Sequence, residues 1–436
     1  MRKRRSSGRR RLLGGIGTTA LLALAGCTGG NGDDDGADDG MDDGDGTDDG
    51  DGDGDDTDDA DSDAGADGSV GWPMDGAEPG GSGYVPVDLG EELEADEYDP
   101  PGGEFRPTTM PAVDGDLLVG RNATGSGIGA MEPTDWTVRW ERELRPDAHL
   151  AVDETVLVPS GGDLYGFDRE TGDRAWEPVE VADGDGPRTN VVVDEGIAYF
   201  GAGSVDPVQM DPEGGDVVGV DVATGERVWE IAPPEEPVAF GSLVLTEAAV
   251  CVLAGTSVGS PRAFDRESGT ELWRNEDVRL RAFAAADGVL YGADNGNAEL
   301  LAIDAAGGSI VWREPVDGVG TTMHRPVIDD DRLYVDVANE ELVAFDAADG
   351  EELWRYTLPA IPVSDEVTGP VVGETLFVPL TNGEVHRIDP VDGDGIEVYD
   401  ADATGGPRCA LTDEGLYVVT DRGARRWQPR DRNDNG

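Results

Sequence analysis

The sequence predicts an all-β propeller of four-stranded antiparallel blades, eight by the count of its units with seven as the alternative, on three observations. The first is a unit repeated near forty residues, in which an Asp stands eight places before a Trp with a Gly turn between: "FDRETGDRAW" (167–176), "VDVATGERVW" (220–229), "FDRESGTELW" (264–273), "IDAAGGSIVW" (303–312) and "FDAADGEELW" (345–354). The second is a pair of short apolar runs opening each unit, such as "FAAADG" (283–288) then "LYGA" from 290. The third is the want of helical periodicity after the N-terminal apolar stretch. Short runs joined by tight turns at this period mark radial repetition, which leaves only short edges to protect.

The elements follow in order within a unit. The first run lies innermost, the second pairs with it across an Asp-Gly or similar turn, and a third alternating run ends at the repeated Asp. In Asp-x-x-Thr-Gly the Asp carboxylate is placed to accept from N–H groups inside the turn, while Gly supplies the positive φ. A fourth strand ends at the Trp, which is expected against the neighbouring blade, burying about 150–250 Å². A small residue recurs two places before the Asp, Gly166, Gly219, Ala263, Ala302 and Ala344, leaving room for an indole. The blade-docking set is therefore Asp168, Gly172 and Trp176; Asp221, Gly225 and Trp229; Asp265, Gly269 and Trp273; Asp304, Gly308 and Trp312; Asp346, Gly350 and Trp354. The outer units deviate: "MEPTDWTVRW" (131–140) has Glu132 for Asp and Trp136 for Gly, and Glu397 stands where a Trp belongs. The eighth unit stops after a third run, "GARRWQ" (423–428), so a strand from the segment after 72 is expected to complete it.

Residues 1–26 read as an export signal: a basic start, Arg9-Arg10-Arg11-Leu12-Leu13 with twin-arginine character, and an apolar stretch too short to span a membrane. "LAGC" (24–27) resembles a lipobox, which makes Cys27 the lipidated first mature residue, on the outer face of the cytoplasmic membrane. Residues 27–70 are almost wholly Asp and Gly, a composition that cannot offset ordering entropy and reads as a disordered tether. The propeller is assigned to 71–428 and a polar tail to 429–436. Lys and Arg total 32 against 94 Asp and Glu, and Lys3 is the only lysine. That balance excludes a nucleic-acid footprint and fits a halophilic archaeal surface, where salt screens self-repulsion.

Two readings of chemistry remain. Cys251 and Cys409 fall in units four and eight, across the ring from each other and too far apart for a disulfide; Cys251 reads as a small buried hydrophobe. Aligning the first strands puts His149, Asn190, Ser242, Phe283, Arg325 and Cys409 at one register, with Arg188, Arg281, His324 and Arg408 one or two places earlier. Scarce basic residues thus gather where the chain enters the innermost strands. The expectation is a channel mouth, His149, Arg188, Asn190, Arg281, His324, Arg325 and Arg408, binding a small anion or an acidic loop of a partner. No metal site is expected there.

In its Ala/Gly-x-Asp-x-x-x-Gly-x-x-x-Trp units, over about 150–360, the chain resembles the pyrroloquinoline-quinone-like propellers, which include quinoprotein alcohol dehydrogenases and BamB-type assembly lipoproteins. "WPMDGAEPGGSGY" (72–84) is similar to the leading segment of such propellers. The resemblance implies either a binding scaffold, monomeric and without cofactor, or a redox enzyme or subunit holding pyrroloquinoline quinone with calcium. The latter would use a disulfide of adjacent cysteines, which Cys27, Cys251 and Cys409 do not supply. No catalytic residue is assigned, and a solute-binding or sensing channel is a third reading.

Overall fold

The computed structural model describes residues 77–78, 81–90, 92–98, 107–122, 125–181, 189–205, 212–231, 238–255, 258–294, 296–317, 325–337, 341–359, 370–403, 407–420 and 422–430. All fall in one unit, Ala60–Gly436. The signal, Cys27, the tether, Arg188, His324 and residues 431–436 lie outside the described residues.

Among the described residues thirty-two strands form eight four-stranded antiparallel sheets. β1 is Leu93–Tyr98. Blade 1 is β2 (Pro107–Asp114), β3 (Leu117–Asn122), β4 (Ile128–Met131) and β5 (Val138–Arg142), and blade 2 is β6 (Ala151–Val152), β7 (Thr155–Ser160), β8 (Asp163–Asp168) and β9 (Val179–Glu180). Blade 3 is β10 (Val192–Asp194), β11 (Ile197–Val205), β12 (Pro212–Asp221) and β13 (Arg227–Glu230). Blade 4 is β14 (Phe240–Leu245), β15 (Ala249–Ala254), β16 (Ser260–Asp265) and β17 (Glu271–Arg274), and blade 5 is β18 (Leu280–Ala286), β19 (Val289–Asp294), β20 (Glu299–Asp304) and β21 (Ile310–Pro315). Blade 6 is β22 (Val327–Ile328), β23 (Arg332–Val337), β24 (Glu341–Asp346) and β25 (Glu352–Thr357). Blade 7 is β26 (Val371–Val372), β27 (Leu376–Pro379), β28 (Glu384–Ile388) and β29 (Gly395–Asp400). Blade 8 is β30 (Arg408–Thr412), β31 (Gly415–Thr420) and β32 (Gly423–Pro429), completed on its outer edge by β1, so its last strand runs one residue past the expected boundary at 428. First strands meet from β2 to β6 and from β10 through β30, blades 2 and 3 share one buried core, and β30 meets β2, so the ring is an eight-bladed propeller.

The second strands carry the core. Leu117, Leu118, Val156, Leu157, Phe200, Cys251, Leu290, Tyr334, Phe377 and Tyr417 are sealed from solvent, because both faces of each blade pack on neighbours. The segment "GAGSVDPVQMDPEGGD" (201–216), which sequence suggests is a long loop, is largely hairpin: β11 and β12 pair from Ile197–Asp221 out to Val205–Pro212. Its glycines permit this, since a side chain at Gly215 would strike the Val238 carbonyl.

Residues 82–87 line the inner edges of blades 6 and 7 before the chain reaches the rim as β1. Ile328 N donates to Ser82 O (2.8 Å), Val372 N to Gly83 O (3.0 Å), Val85 N to Val372 O (2.9 Å) and Glu374 N to Val87 O (2.9 Å). One stretch of chain thereby ties the innermost strands to the outermost strand of the closing blade.

Candidate functional site

The repeated turns are built alike. Asp168 Oδ1 accepts from Thr171 N (2.8 Å) and Thr171 Oγ1 (2.9 Å), Asp221 Oδ1 from Thr224 N (2.8 Å) and Oγ1 (2.7 Å), and Asp265 Oδ1 from Ser268 N (2.7 Å) and Oγ (2.6 Å). In the later blades Asp304 and Asp346 accept from Gly307 N and Ala348 N alone. The donated bonds hold three carboxyls below the ordinary range, led by the Thr171 N–H at Asp168, the Thr224 hydroxyl at Asp221 and the Ser268 hydroxyl at Asp265. A depressed folded value means that these turns stabilise fully above the unfolded carboxyl pKa of about 3.9 and weaken as pH falls through the lower folded values. The combined variant Thr171→Val, Thr224→Val and Ser268→Ala should therefore shift acid unfolding, followed by tryptophan fluorescence in molar salt, to higher pH.

Each turn receives the indole of the preceding blade. Nε1 of Trp140 donates to Arg169 O (2.9 Å), Trp176 to Val222 O (3.1 Å), Trp273 to Ala305 O (2.8 Å), Trp312 to Ala347 O (3.0 Å) and Trp354 to Pro390 O (3.0 Å), in every case the residue after the Asp. Trp229 donates one place earlier, to Asp265 O (3.1 Å). The rings lie on the turn glycines, as a Cβ at Gly172 would stand 2.5 Å from Trp140 Cδ2 and at Gly225 2.5 Å from Trp176 Cδ2, except at Gly269, where a Cβ would meet the Glu230 carbonyl and not the Trp229 ring. The small residue two places before the Asp sits across the strand from its own blade's Trp, as in the pairs Gly219 with Trp229 and Ala302 with Trp312.

Between blades 7 and 8 and between blades 8 and 1 this pattern is replaced. Arg387 takes the small slot of blade 7 and stands opposite Glu397, with its guanidinium over Phe377 (5.7 Å) and bonded to Gly90 O. Tyr399 packs on Trp427, ring centroids 5.3 Å apart. Blade 8 ends in β1, which has no Trp, and the contact with blade 1 is made in the opposite sense. Trp136, in the glycine position of the blade 1 turn at φ 62°, donates from Nε1 to Asp96 Oδ2 (3.3 Å) and meets Tyr417 edge-on at 6.3 Å. The sequence signal was present, a Trp where Gly belongs, but its direction was not.

Strand pairing refines the channel register. Leu243 faces Val252, Phe283 faces Gly292 and Cys409 faces Val418, so Phe283 and Cys409 align with Leu243 and not with Ser242; Arg408 takes the Ser242 position, beside His149, Asn190 and Arg325. β14 and β18 each carry a bulge at the same register, Gly241-Ser242 and Arg281-Ala282, while β30 pairs without interruption, so the one-residue error lies in where the sequence reading starts the first apolar runs. Asn190 is buried and committed to the fold: its Nδ2 donates to Leu243 O (3.0 Å) and its Oδ1 accepts from Leu243 N (3.0 Å), locking β14 to the chain entering blade 3. His149 and Arg408 are half-buried where their blades begin. Arg325 lies against the leading segment, its Nη1 2.8 Å from where a Gly81 side chain would start. Cys251 and Cys409 are buried free thiols, and burial pushes the Cys251 thiol up to about 12 and Cys409 higher still.

The third histidine lies elsewhere and was not assigned from sequence. His386 is buried on β28, its Nδ1 3.0 Å from Tyr356 Oη and its Nε2 3.2 Å from Glu384 Oε2, while Asn382 Nδ2 donates to the same carboxylate oxygen (2.7 Å). Asn382 chiefly, then His386, holds the Glu384 carboxyl below its ordinary range. This network joins blades 6 and 7.

The described residues do not fit a calcium-bound quinone. No two cysteines are adjacent in the chain, and among the described residues no group of three or more His, Cys, Asp or Glu is placed to hold a metal ion.

Comparison with known proteins agrees with this architecture. The family described as outer membrane protein assembly factor BamB matches residues 61–262 and 257–411. BamB from Moraxella catarrhalis is similar in structure, with 16% identity, 77% of this chain and 100% of that chain covered, and a TM-score of 0.55. The quinohemoprotein alcohol dehydrogenase from Comamonas testosteroni gives 14% identity, 80% and 76% coverage and a TM-score of 0.61. A europium-containing methanol dehydrogenase gives 12% identity, 80% and 89% coverage and a TM-score of 0.59. Curated proteins returned no match. At these identities the structural likeness establishes the fold alone, and the family match places the chain: it belongs to the PQQ-repeat propeller family of the outer membrane protein assembly factor BamB.

Proposed function

We propose that the chain is a lipid-anchored propeller at the surface of a halophilic archaeon, exported by the twin-arginine route, held at the membrane through Cys27, and serving as a rigid, non-catalytic scaffold that binds proteins. The observation that carries this reading is the distribution of exposed apolar side chains. Among the described residues the exposed large hydrophobics are Val228, Leu272, Val311, Leu353, Val391, Ile396 and Val398. The first four precede the docking Trp on the outermost strands β13, β17, β21 and β25; Ile396 and Val398 lie on β29, and Val391 in the turn before it. They form an arc over five consecutive blades in a chain whose surface is otherwise acidic. Edge strands are ordinarily guarded by charge, and apolar side chains repeated on them suit a partner's apolar surface. Membership in a family named for an assembly factor supports the same reading.

The test is site-specific photo-crosslinking in intact cells from Leu272 and Leu353, with Glu226 as control. The scaffold reading expects one defined partner captured from the two rim positions, and lost when Val228, Val311 and Ile396 are changed to Glu. Equal capture from Glu226, or none from the rim, overturns it. The quinone-dependent reading takes support from fold likeness alone, since its adjacent cysteines are absent from the sequence.

A further inference from the structure

Arginines of this chain that are not exposed are matched to partners almost without exception. Arg169 pairs with Asp114, Arg262 with Glu271, Arg266 with Asp194, Arg332 with Asp329 and Arg426 with Asp96. Among the described residues the exception is Arg281, which is half-buried, has its Nε sealed from solvent, and meets no carboxylate, carbonyl or ring. In a chain with 94 acids against 32 bases, an arginine held away from every carboxylate is a placement that needs a cause. Desolvating a guanidinium N–H without an acceptor costs free energy, so the acceptor is expected to come from outside the chain.

A second orphan lies on the adjacent innermost strand. Ser242 Oγ is buried and has no hydrogen-bond partner. Both residues sit in the two-residue bulges of β14 and β18, which turn side chains out of the regular alternation. The space before the β14 bulge is open, since a Cβ at Gly241 would meet nothing nearer than Gly255 O at 3.9 Å. A second guanidinium stands close by: Gly81 lies between Arg325 and Val244 of β14, its missing Cβ 2.8 Å from Arg325 Nη1 and 3.3 Å from Val244 Cγ1. The acid nearest by register, Asp294 opposite Leu280, is buried and uses both oxygens internally, accepting from Gly296 N (2.8 Å) and Asn297 Nδ2 (2.8 Å).

We infer that the arc of the channel between β14 and β18 binds a small oxyanion, a carboxylate or phosphate group, through the Arg281 guanidinium and the Ser242 hydroxyl. Both donors suit an anionic oxygen, and the guanidinium can meet two oxygens at once. This site lies on the innermost strands, away from the rim, and does not depend on the scaffold reading.

The test is calorimetric titration of the full chain in molar potassium chloride with inorganic phosphate and, separately, with citrate. One saturable site is expected, weakened about ten- to a hundred-fold by Arg281→Gln and by Ser242→Ala, and unchanged by Arg145→Gln, an exposed arginine outside the channel. Preference for phosphate identifies a phosphate ligand, and preference for citrate a carboxylate ligand. Saturation by neither anion, or binding retained in both folded channel variants, overturns the site. Arg281→Lys guards against a folding artefact: it keeps the charge and should bind more weakly than wild type yet better than Arg281→Gln.

Discussion

Replacing Trp273 with Ala should cost about 3–5 kcal/mol of stability, the range for deleting a buried aromatic ring from a packed site. The indole is nearly sealed, its Nε1 bonds to Ala305 O at 2.8 Å, and it covers Gly308 of the next blade, where a Cβ would stand 2.5 Å from Trp273 Cδ2. The two residues are therefore coupled. Gly308→Ala in the wild type meets both the ring and a φ of 71°, while in the Trp273→Ala background only the backbone cost of about 1 kcal/mol remains. Denaturant unfolding of the four proteins in molar salt should give a coupling energy of about 1–3 kcal/mol. Simple additivity would show that the ring does not rest on the glycine.

At the closure the order of variants is diagnostic. Trp136 occupies a left-handed backbone conformation, φ 62°, that costs a bulky residue about 1–2 kcal/mol, and it is kept there by its ring against Tyr417 and Asp96. Trp136→Ala loses the ring and keeps the strain, so it should fall by about 3–5 kcal/mol. Trp136→Gly loses the ring and relieves the strain, recovering about 1 kcal/mol. The expected order in thermal unfolding is wild type, then Gly, then Ala. A Gly variant as stable as wild type would mean that the closure is held by β1 pairing with β32 and not by this ring.

Much of this architecture is legible in the sequence because the repeat is written in residues with single mechanical uses: a turn Asp, a positive-φ Gly, a small residue and a Trp, at fixed spacing. Eight blades and a last strand supplied from the N-terminal side follow from the same count. Less legible was whatever depended on exact strand register and on the closure. Phe283 and Cys409 align with Leu243 and not with Ser242, a one-residue distinction that short apolar runs do not carry. Asn190 looked like a polar residue at the channel mouth, and its carboxamide is consumed by Leu243, a partner 53 residues on that no local pattern reveals. The reversed docking of Trp136 was visible only as a broken motif, because which blade lacks its Trp depends on β1 being recruited from the other end of the chain. Four residues of the rim arc, Val228, Leu272, Val311 and Leu353, were readable as large apolar residues before a Trp, but strand alternation alone does not say which of them stay exposed.

As proposed above, the ring is a binding body and not a quinone enzyme. The most direct test is titration of the full chain, in molar salt with calcium, with pyrroloquinoline quinone, followed by absorbance and by dye-linked oxidation of alcohols and sugars. No turnover and no stoichiometric quinone spectrum are expected; a one-to-one chromophore that reduces dye in the presence of an alcohol would overturn the scaffold proposal.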